Sequence, residues 1–99
     1  MALIVKIKPR ALREIERAAK WWAENRLAAP GAIRKDIAAA LALLVEEPGI
    51  GTRVELSRPV IVRRLYLTRV RYFIYYRVVG EALEVIAFWH ASRGKEPKL

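Results

Sequence analysis

The hydrophobic pattern of this 99-residue chain changes from a helical period to a strand period between residues 48 and 59. Before that segment apolar residues recur every three or four positions, which is the spacing of an amphipathic helix. After it the period is two, and β-branched and aromatic side chains become frequent, as in strands. The segment itself holds Pro48, Gly49, Gly51 and Pro59, which predict a loop. The pattern therefore predicts helices in the first half of the chain and a sheet in the second.

The first half also begins with a strand pattern. Residues 3–8 alternate as in a half-buried strand, and Pro9 ends that strand and can open a helix. Residues 10–27 predict a helix whose buried stripe is Leu12, Ile15, Ala19 and Trp22. A second helix is predicted from residue 32 to about residue 47, with a stripe of Ile33, Ile37, Ala40, Leu41 and Leu44. The short connection at Pro30-Gly31 indicates an antiparallel helical hairpin.

The second half predicts three strands, at residues 60–67, 71–79 and 82–90, joined by hairpin turns at 68–70 and 79–81. Residues 91–99 are predicted to be a polar tail. The expected fold is α+β with the order β-α-α-β-β-β. In this fold the helical hairpin packs on one face of a small, mainly antiparallel sheet, and residues 1–99 form one domain.

The residues of the middle predicted strand fall into two different faces. Tyr72, Ile74, Tyr76 and Val78 are all apolar or aromatic, so this face is expected to meet the helices. The other face is expected to point outward and is made of Arg71, Phe73, Tyr75 and Arg77. It predicts a surface on which arginines alternate with aromatic rings.

The charge of the chain is strongly positive and uneven. Nineteen basic residues face ten acidic ones, which gives a net charge of +9. Between Arg53 and Arg77 there are seven arginines and a single acid, Glu55. Guanidinium groups match phosphates and carboxylates, so this half favours a polyanion or an acidic protein as partner. A GC-rich genome would also raise the arginine content without such a role.

Several classes of protein are disfavoured by the composition. The chain has no cysteine, which excludes disulfides and thiolate metal sites. With one histidine, His90, and one aspartate, Asp36, neither a metal site nor a cofactor is expected. The first apolar run is too short for a signal peptide, and no run approaches the roughly 20 residues of a membrane span. A cytoplasmic location is therefore expected, without contact with a membrane.

Taken together, these segments resemble the ParE/RelE toxin superfamily, and the ParE and plasmid-stabilisation branch in particular. The resemblance covers nearly the whole chain and includes the strand–helix–helix–three-strand order. It depends on Pro48-Gly49-Ile50-Gly51, on Val62-Arg63-Arg64-Leu65, on residues 72–78, and on residues 83–93, which end in His90-x-x-Arg93.

The resemblance implies a toxin that is held in a hetero-oligomer by a cognate antitoxin with an acidic, partly helical segment. It also implies one of two targets, because ParE-like members inhibit DNA gyrase whereas RelE-like members cleave mRNA on the ribosome without metal. A third possibility is a member that is no longer toxic and serves as a binding module. Nine residues follow His90, whereas RelE-type nucleases tend to carry a catalytic aromatic or histidine closer to the C-terminus, and this favours the ParE branch.

Candidate functional residues follow from the charge pattern and from the family resemblance. If the protein is a nuclease, Arg71, Tyr75 and His90 are the expected catalytic groups, since phosphoryl chemistry needs cations and a proton carrier. The residues expected to bind the target or the antitoxin are Arg63, Arg64, Arg71, Phe73, Tyr75, Arg77, Trp21, His90, Arg93 and Lys95. For Tyr75 and His90, the competing interpretation is a purely structural role.

Overall fold

The computed structural model of the chain describes residues 2–99 and has a five-stranded sheet with two helices on one face. In chain order the elements are β1 (Ile4–Ile7), α1 (Pro9–Asn25), α2 (Ala32–Leu44), a 3-10 turn (Pro48–Ile50), β2 (Thr52–Val54), β3 (Val62–Leu67), β4 (Tyr72–Val79) and β5 (Ala82–His90). The order of strands across the sheet is β1-β5-β4-β3-β2. β1 runs parallel to β5 and all other pairs are antiparallel, so the predicted α+β class is confirmed.

The helices bury one stripe each against the sheet. In α1 the buried residues are Ala11, Ile15 and Ala18, with Trp22 half-buried beside them. In α2 they are Ala32, Ile33, Ile37, Ala40 and Leu44. A side-chain hydrogen bond also joins helix and sheet, since the backbone N–H of Phe88 donates to Glu14 Oε1 at 2.9 Å. We call the helix-covered side of the sheet the inner face and the opposite side the outer face.

Three expectations about the first half were wrong. Leu12 is 43% exposed, because the buried stripe of α1 is centred on Ala11 and Ala18. α2 ends at Leu44 rather than near Glu47. β1 is exposed along its whole length, not half-buried, because it is an edge strand that pairs only with β5.

The predicted loop at residues 48–59 also contains more structure than expected. It begins with the 3-10 turn and then forms β2, which pairs Thr52 with Arg64 and Val54 with Val62. β3 begins at Val62, two residues later than predicted, whereas β5 has the predicted bounds.

The two hairpin turns use left-handed backbone. Gly80 has φ 58°, as predicted for the turn between β4 and β5. Arg71 has φ 64° and belongs to the turn before β4, not to the strand in which we placed it. A non-glycine residue in this region is uncommon. Its backbone is fixed on both sides, because Arg71 N donates to the carbonyl of Leu67 and its carbonyl accepts from the N–H of Ala91.

The strand faces divide largely as predicted. Ile74 and Tyr76 belong to the core under the helices, and Tyr72 packs against that core. Phe73 and Tyr75 lie on the outer face. The register shifts between Tyr75, which pairs with Ala87, and Tyr76, which pairs with Val85. Val78 is an exception, because it is exposed.

Candidate functional site

The outer face of the sheet carries its own small apolar core, which the sequence did not predict. Its buried members are Val62, Tyr75 and Ala87, and Phe73, Trp89 and Leu99 are among the side chains that pack around them. Tyr75 is only 1% exposed. The expectation that Tyr75 points outward into solvent was therefore wrong, although its strand face was predicted correctly.

What covers Tyr75 is the C-terminal segment of the chain. Residues 91–99 were expected to be a polar tail, yet Pro97 is buried and Leu99 packs against the outer core. The indole N–H of Trp89 donates to the carbonyl oxygen of Lys95 at 2.9 Å, and Arg58 donates to that of Leu99 at 3.3 Å. Arg10 reaches the carbonyl of Lys98. The only signal in the sequence was a pair of apolar residues, Pro97 and Leu99, within a basic tail.

At the centre of this contact, three polar groups meet. Arg64 Nη1 donates to the Tyr75 hydroxyl at 3.2 Å and to the two carboxylate oxygens of Glu96 at 3.1 and 3.2 Å. The Tyr75 hydroxyl in turn donates to Glu96 Oε2 at 2.9 Å. We call this arrangement the Arg64–Tyr75–Glu96 cluster. Sequence reasoning found its first two members and missed Glu96, because nothing local to Glu96 predicts a contact 32 residues away.

The protonation of the cluster follows from its contacts. The pKa of Arg64 is raised, chiefly by its hydrogen bond with Tyr75 and also by the charge of Glu96, so it remains a cation. Burial raises the pKa of Tyr75 above its usual value near 10, although the hydrogen bond from Arg64 works in the opposite direction. At neutral pH the tyrosine is therefore a neutral hydrogen-bond donor and not a base.

Beside the cluster lies an open polar cleft of about 280 Å³. It brings together six of the predicted functional residues, namely Arg64, Phe73, Tyr75, His90, Arg93 and Lys95. The guanidinium of Arg93 lies 4.1 Å from the ring centroid of Trp89, which is within cation–π distance. The cleft can thus bind an anion, and Gly94, Lys95 and Glu96 of the C-terminal segment form part of its lining.

His90 is held by its neighbours at the end of β5. Its ring meets Tyr72 edge-on, with 4.8 Å between centroids. Its Nδ1 accepts the backbone N–H of Ser92 at 3.1 Å and lies 2.5 Å from the Ser92 hydroxyl oxygen. Because Nδ1 acts as an acceptor, the neutral ring carries its proton on Nε2. These contacts fix the turn that follows β5.

A second, smaller cleft of about 180 Å³ lies between α1 and the ends of β4 and β5. Trp21, His90 and Arg93 line it together with Arg17 and Tyr72, which sequence reasoning did not select. Trp21 is 48% exposed. Arg26 lies over the Trp21 ring at 5.0 Å. The cleft therefore presents an exposed tryptophan next to two cations, Arg17 and Arg93.

The remaining predicted residues lie elsewhere. Arg63 donates to the carbonyl of Gly51 at 3.0 Å, and Arg77 donates to Glu84 Oε1 at 2.9 Å. Both line a separate hollow near the 3-10 turn. Arg71, in the β3–β4 turn, is exposed and does not line the cleft that holds Tyr75 and His90. The proposed catalytic set of Arg71, Tyr75 and His90 is therefore not assembled around one cavity.

Within residues 2–99, no group of three histidine, cysteine, aspartate or glutamate side chains is placed to hold a metal ion. None of the helices in the same range has the length and apolar character needed to cross a bilayer.

Comparison with known proteins identifies the family. Residues 5–94 match the sequence model of the ParE toxin of the type II toxin–antitoxin system parDE. No curated protein sequence matches the chain.

Solved structures show the same fold at low sequence identity. A chain of the chromosomal ParDE toxin–antitoxin system from P. aeruginosa has a TM-score of 0.72 and 18% identity, covering 92% of this chain and 98% of that one. A double arginine-to-alanine mutant of E. coli RelE in the free state has a TM-score of 0.66 and 20% identity, covering 93% and 86%. The intact E. coli RelBE complex gives 0.66 and 21%, covering 93% and 100%. The chain belongs to the ParE toxin family of type II toxin–antitoxin systems.

Proposed function

We propose that this toxin acts in the cytoplasm by binding DNA gyrase, without cleaving RNA, and that a cognate antitoxin neutralises it in a hetero-oligomer. The observation that carries the proposal is the burial of Tyr75, whose hydroxyl is held by Arg64 and Glu96. A ParE-like toxin needs a binding surface, whereas a metal-independent nuclease needs accessible proton-transfer groups.

Cleavage of RNA at its 2′-hydroxyl requires a base near that hydroxyl, a donor for the leaving oxygen and cations on the phosphate. Burial disqualifies Tyr75 as a base in this conformation, because its pKa is raised and its hydroxyl faces Glu96. The lone pair on His90 Nδ1 is taken by Ser92. These contacts argue against a nuclease built on Tyr75 and His90.

The exposed groups instead have the chemistry of a protein-binding surface. Trp21 and Arg93 line one cleft, and Arg93 also stacks on Trp89. Tryptophan and arginine are the residue types that most often dominate the free energy of protein–protein binding. We infer that Trp21, Arg93 and Lys95 contact the target.

The antitoxin is inferred from the family and from the charge of the chain. Two of the solved neighbours come from toxin–antitoxin systems, ParDE and RelBE. A net charge of +9 favours an acidic partner, since complementary charge raises the rate of association.

The testing experiment is pulse labelling of DNA and protein in cells just after induction of this chain alone. Early loss of DNA synthesis with continued translation is the expected result. Trp21→Ala and Arg93→Ala should weaken this effect, whereas Arg34→Ala, at an exposed position on α2, is the matched control. If the wild-type protein inhibits DNA supercoiling by purified gyrase and Trp21→Ala does not, gyrase is identified directly as the target.

A ribosome-dependent mRNA endonuclease is the alternative, and the cationic cleft beside His90 is the observation that favours it. Early loss of translation with cleaved transcripts would establish that alternative and overturn the gyrase proposal. Intact DNA synthesis and intact translation would indicate a non-toxic binding module.

A further inference from the structure

The chain contains two serines, Ser57 and Ser92, and both side chains are exposed. Their positions differ in one respect that matters for chemistry. Ser57 lies in the loop between β2 and β3, whereas the hydroxyl oxygen of Ser92 lies 2.5 Å from Nδ1 of His90, the single histidine of the chain. A serine hydroxyl is a weak nucleophile alone and is activated by an adjacent general base. The two serines are therefore expected to differ in reactivity.

The orientation of His90 makes its Nδ1 a base for Ser92. Nδ1 accepts the backbone N–H of Ser92 at 3.1 Å, so the neutral ring carries its proton on Nε2 and its other nitrogen faces Ser92. The edge-on contact with Tyr72, at 4.8 Å between centroids, holds the ring from the other side. The proton of the Ser92 hydroxyl thus has an acceptor within hydrogen-bond distance, which is the first requirement for general-base catalysis.

Cationic side chains lie on both sides of the turn that carries Ser92. This turn joins the two clefts described above, since His90 and Arg93 line both of them. Lys95 lines the larger cleft, and Arg17 lines the smaller one. Guanidinium and ammonium groups bind phosphate oxygens. A small anionic reagent is therefore concentrated at the rim where the Ser92 hydroxyl is exposed.

We propose that Ser92 is a nucleophile that takes an acyl group from a small acyl phosphate, with His90 as its general base. The Ser92 oxygen attacks the carbonyl carbon of the donor, and the hydroxyl proton passes to His90 Nδ1. The bond between the carbonyl carbon and the phosphate oxygen then breaks, and the phosphate leaves with that proton. The products are O-acyl-Ser92 and inorganic phosphate, and His90 returns to its neutral form.

The negative charge of the donor decides both where it binds and where it reacts. Arg93 pairs with the phosphate group, because it lies one residue after the nucleophile and lines both clefts. The negative oxygens of that phosphate repel a nucleophile at phosphorus, so the carbonyl carbon is the site of attack. The reaction involves neither gyrase nor RNA nor an antitoxin, so it stands or falls independently of the proposed function.

The test treats the purified full chain with acetyl phosphate and locates the acetyl groups by peptide mass spectrometry. Acetylation at Ser92 and none at Ser57 is the expected result. His90→Asn keeps an acceptor for the Ser92 N–H but removes the base, so acetylation at Ser92 should slow by about 10²–10⁴-fold. Acetylation of lysines in the same samples does not need His90, so equal lysine acetylation shows that both proteins met the same dose of reagent.

A second reagent separates the nucleophile from the anion site. A fluorophosphonate ester has no charge and phosphonylates activated serines with loss of fluoride, so it should label the wild type and not Ser92→Ala. Arg93→Ala should slow acetylation by acetyl phosphate by about two- to fivefold, as loss of one exposed ion pair predicts, and should slow fluorophosphonate labelling by less. Arg34→Ala, at an exposed position on α2, is the matched control and should change neither rate.

Four results would overturn the inference. Equal acetylation of Ser92 and Ser57 would show the ordinary reactivity of an exposed hydroxyl, and an equal rate at Ser92 in wild type and folded His90→Asn would exclude the base. Phosphorylation of Ser92 in place of acetylation would refute acyl transfer. If Ser92 reacted with neither reagent, its hydrogen bond to His90 would serve only the turn after β5. Circular dichroism checks the fold of each variant, and if His90→Asn is unfolded, the comparison of the two serines in the wild type decides.

Discussion

The hydroxyl of Tyr76 connects β4 to the turn before β2, because it lies 3.0 Å from the backbone nitrogen of Gly51 and 2.6 Å from the carbonyl oxygen of Pro48. It accepts from Gly51 and donates to Pro48, so one phenol satisfies a buried N–H and a part-buried carbonyl. A side chain at residue 51 would overlap this hydroxyl and the carbonyl of Arg64. The Pro-Gly-Ile-Gly segment is thus shaped by a tyrosine 25 residues away.

Replacing Tyr76 with phenylalanine should therefore destabilise the fold. The substitution leaves the buried N–H of Gly51 and the part-buried carbonyl of Pro48 without this partner, which costs about 1–3 kcal/mol. Urea unfolding followed by far-UV circular dichroism would measure the loss in free energy of unfolding. Tyr66→Phe is the control, since Tyr66 is 42% exposed, and an equal loss in both variants would contradict the argument.

The same site predicts that replacing Gly51 and Gly49 with alanine has different effects on the free energy of unfolding. Gly51→Ala should cost about 1–3 kcal/mol, because the added methyl group must displace the Tyr76 ring or the backbone of β3. A Cβ at Gly49 would have nothing within 4 Å, so Gly49→Ala should be neutral or stabilise by up to about 1 kcal/mol through the unfolded chain. Thermal unfolding of the pair is the measurement, and similar melting temperatures for both variants would refute it.

Periodicity predicted the sheet better than it predicted the helix stripes. β5 has its predicted bounds, since its period-two pattern is long and ends in a turn on each side. The stripe of α1 was misplaced because Ala11 and Ala18 give a weaker hydrophobic signal than Leu12, yet their small size lets the helix approach the sheet. β2 was missed because three residues are too few to show a period.

The sequence predicted most residues of the candidate site but not how they are arranged in space. Strand parity placed Phe73 and Tyr75 on the outer face, where they are. Strand parity could not predict that residues 95–99 cover Tyr75. That contact joins residues that are far apart in the sequence, and parity describes only the residues within one strand. Arg71 was assigned to a strand because positive φ is rare outside glycine, and no local residue signals it.

The pair Arg77–Glu84 predicts a dependence of stability on pH. The hydrogen bond from Arg77 lowers the pKa of Glu84 below its usual value. A carboxylate with a lowered pKa in the folded state stabilises the fold above the unfolded pKa, near 4.3, and loses that contribution as the pH falls through the folded pKa. Urea midpoints should therefore fall between pH 7 and pH 3 by more in the wild type than in Glu84→Gln. Parallel curves for the two proteins would show that the pair contributes nothing.

Tyr75→Phe gives the sharpest contrast between the two proposed activities. The ring stays in the outer core while the hydroxyl that faces Arg64 and Glu96 is lost. A binding toxin should keep its potency within about threefold, whereas loss of a proton-transfer group in a nuclease lowers the rate by about 10²–10⁴-fold. The measurement is viability after graded induction, with the protein level checked by immunoblot and the fold by circular dichroism. His90→Asn is the companion variant, since its amide oxygen lies where Nδ1 does and can still accept from Ser92, whereas the side chain cannot act as a general acid or base. If both variants are as toxic as the wild type, the toxin acts by binding. If both are folded but inactive, and transcripts are cleaved only by the wild type, RNA cleavage is the activity and the C-terminal segment must move aside for it.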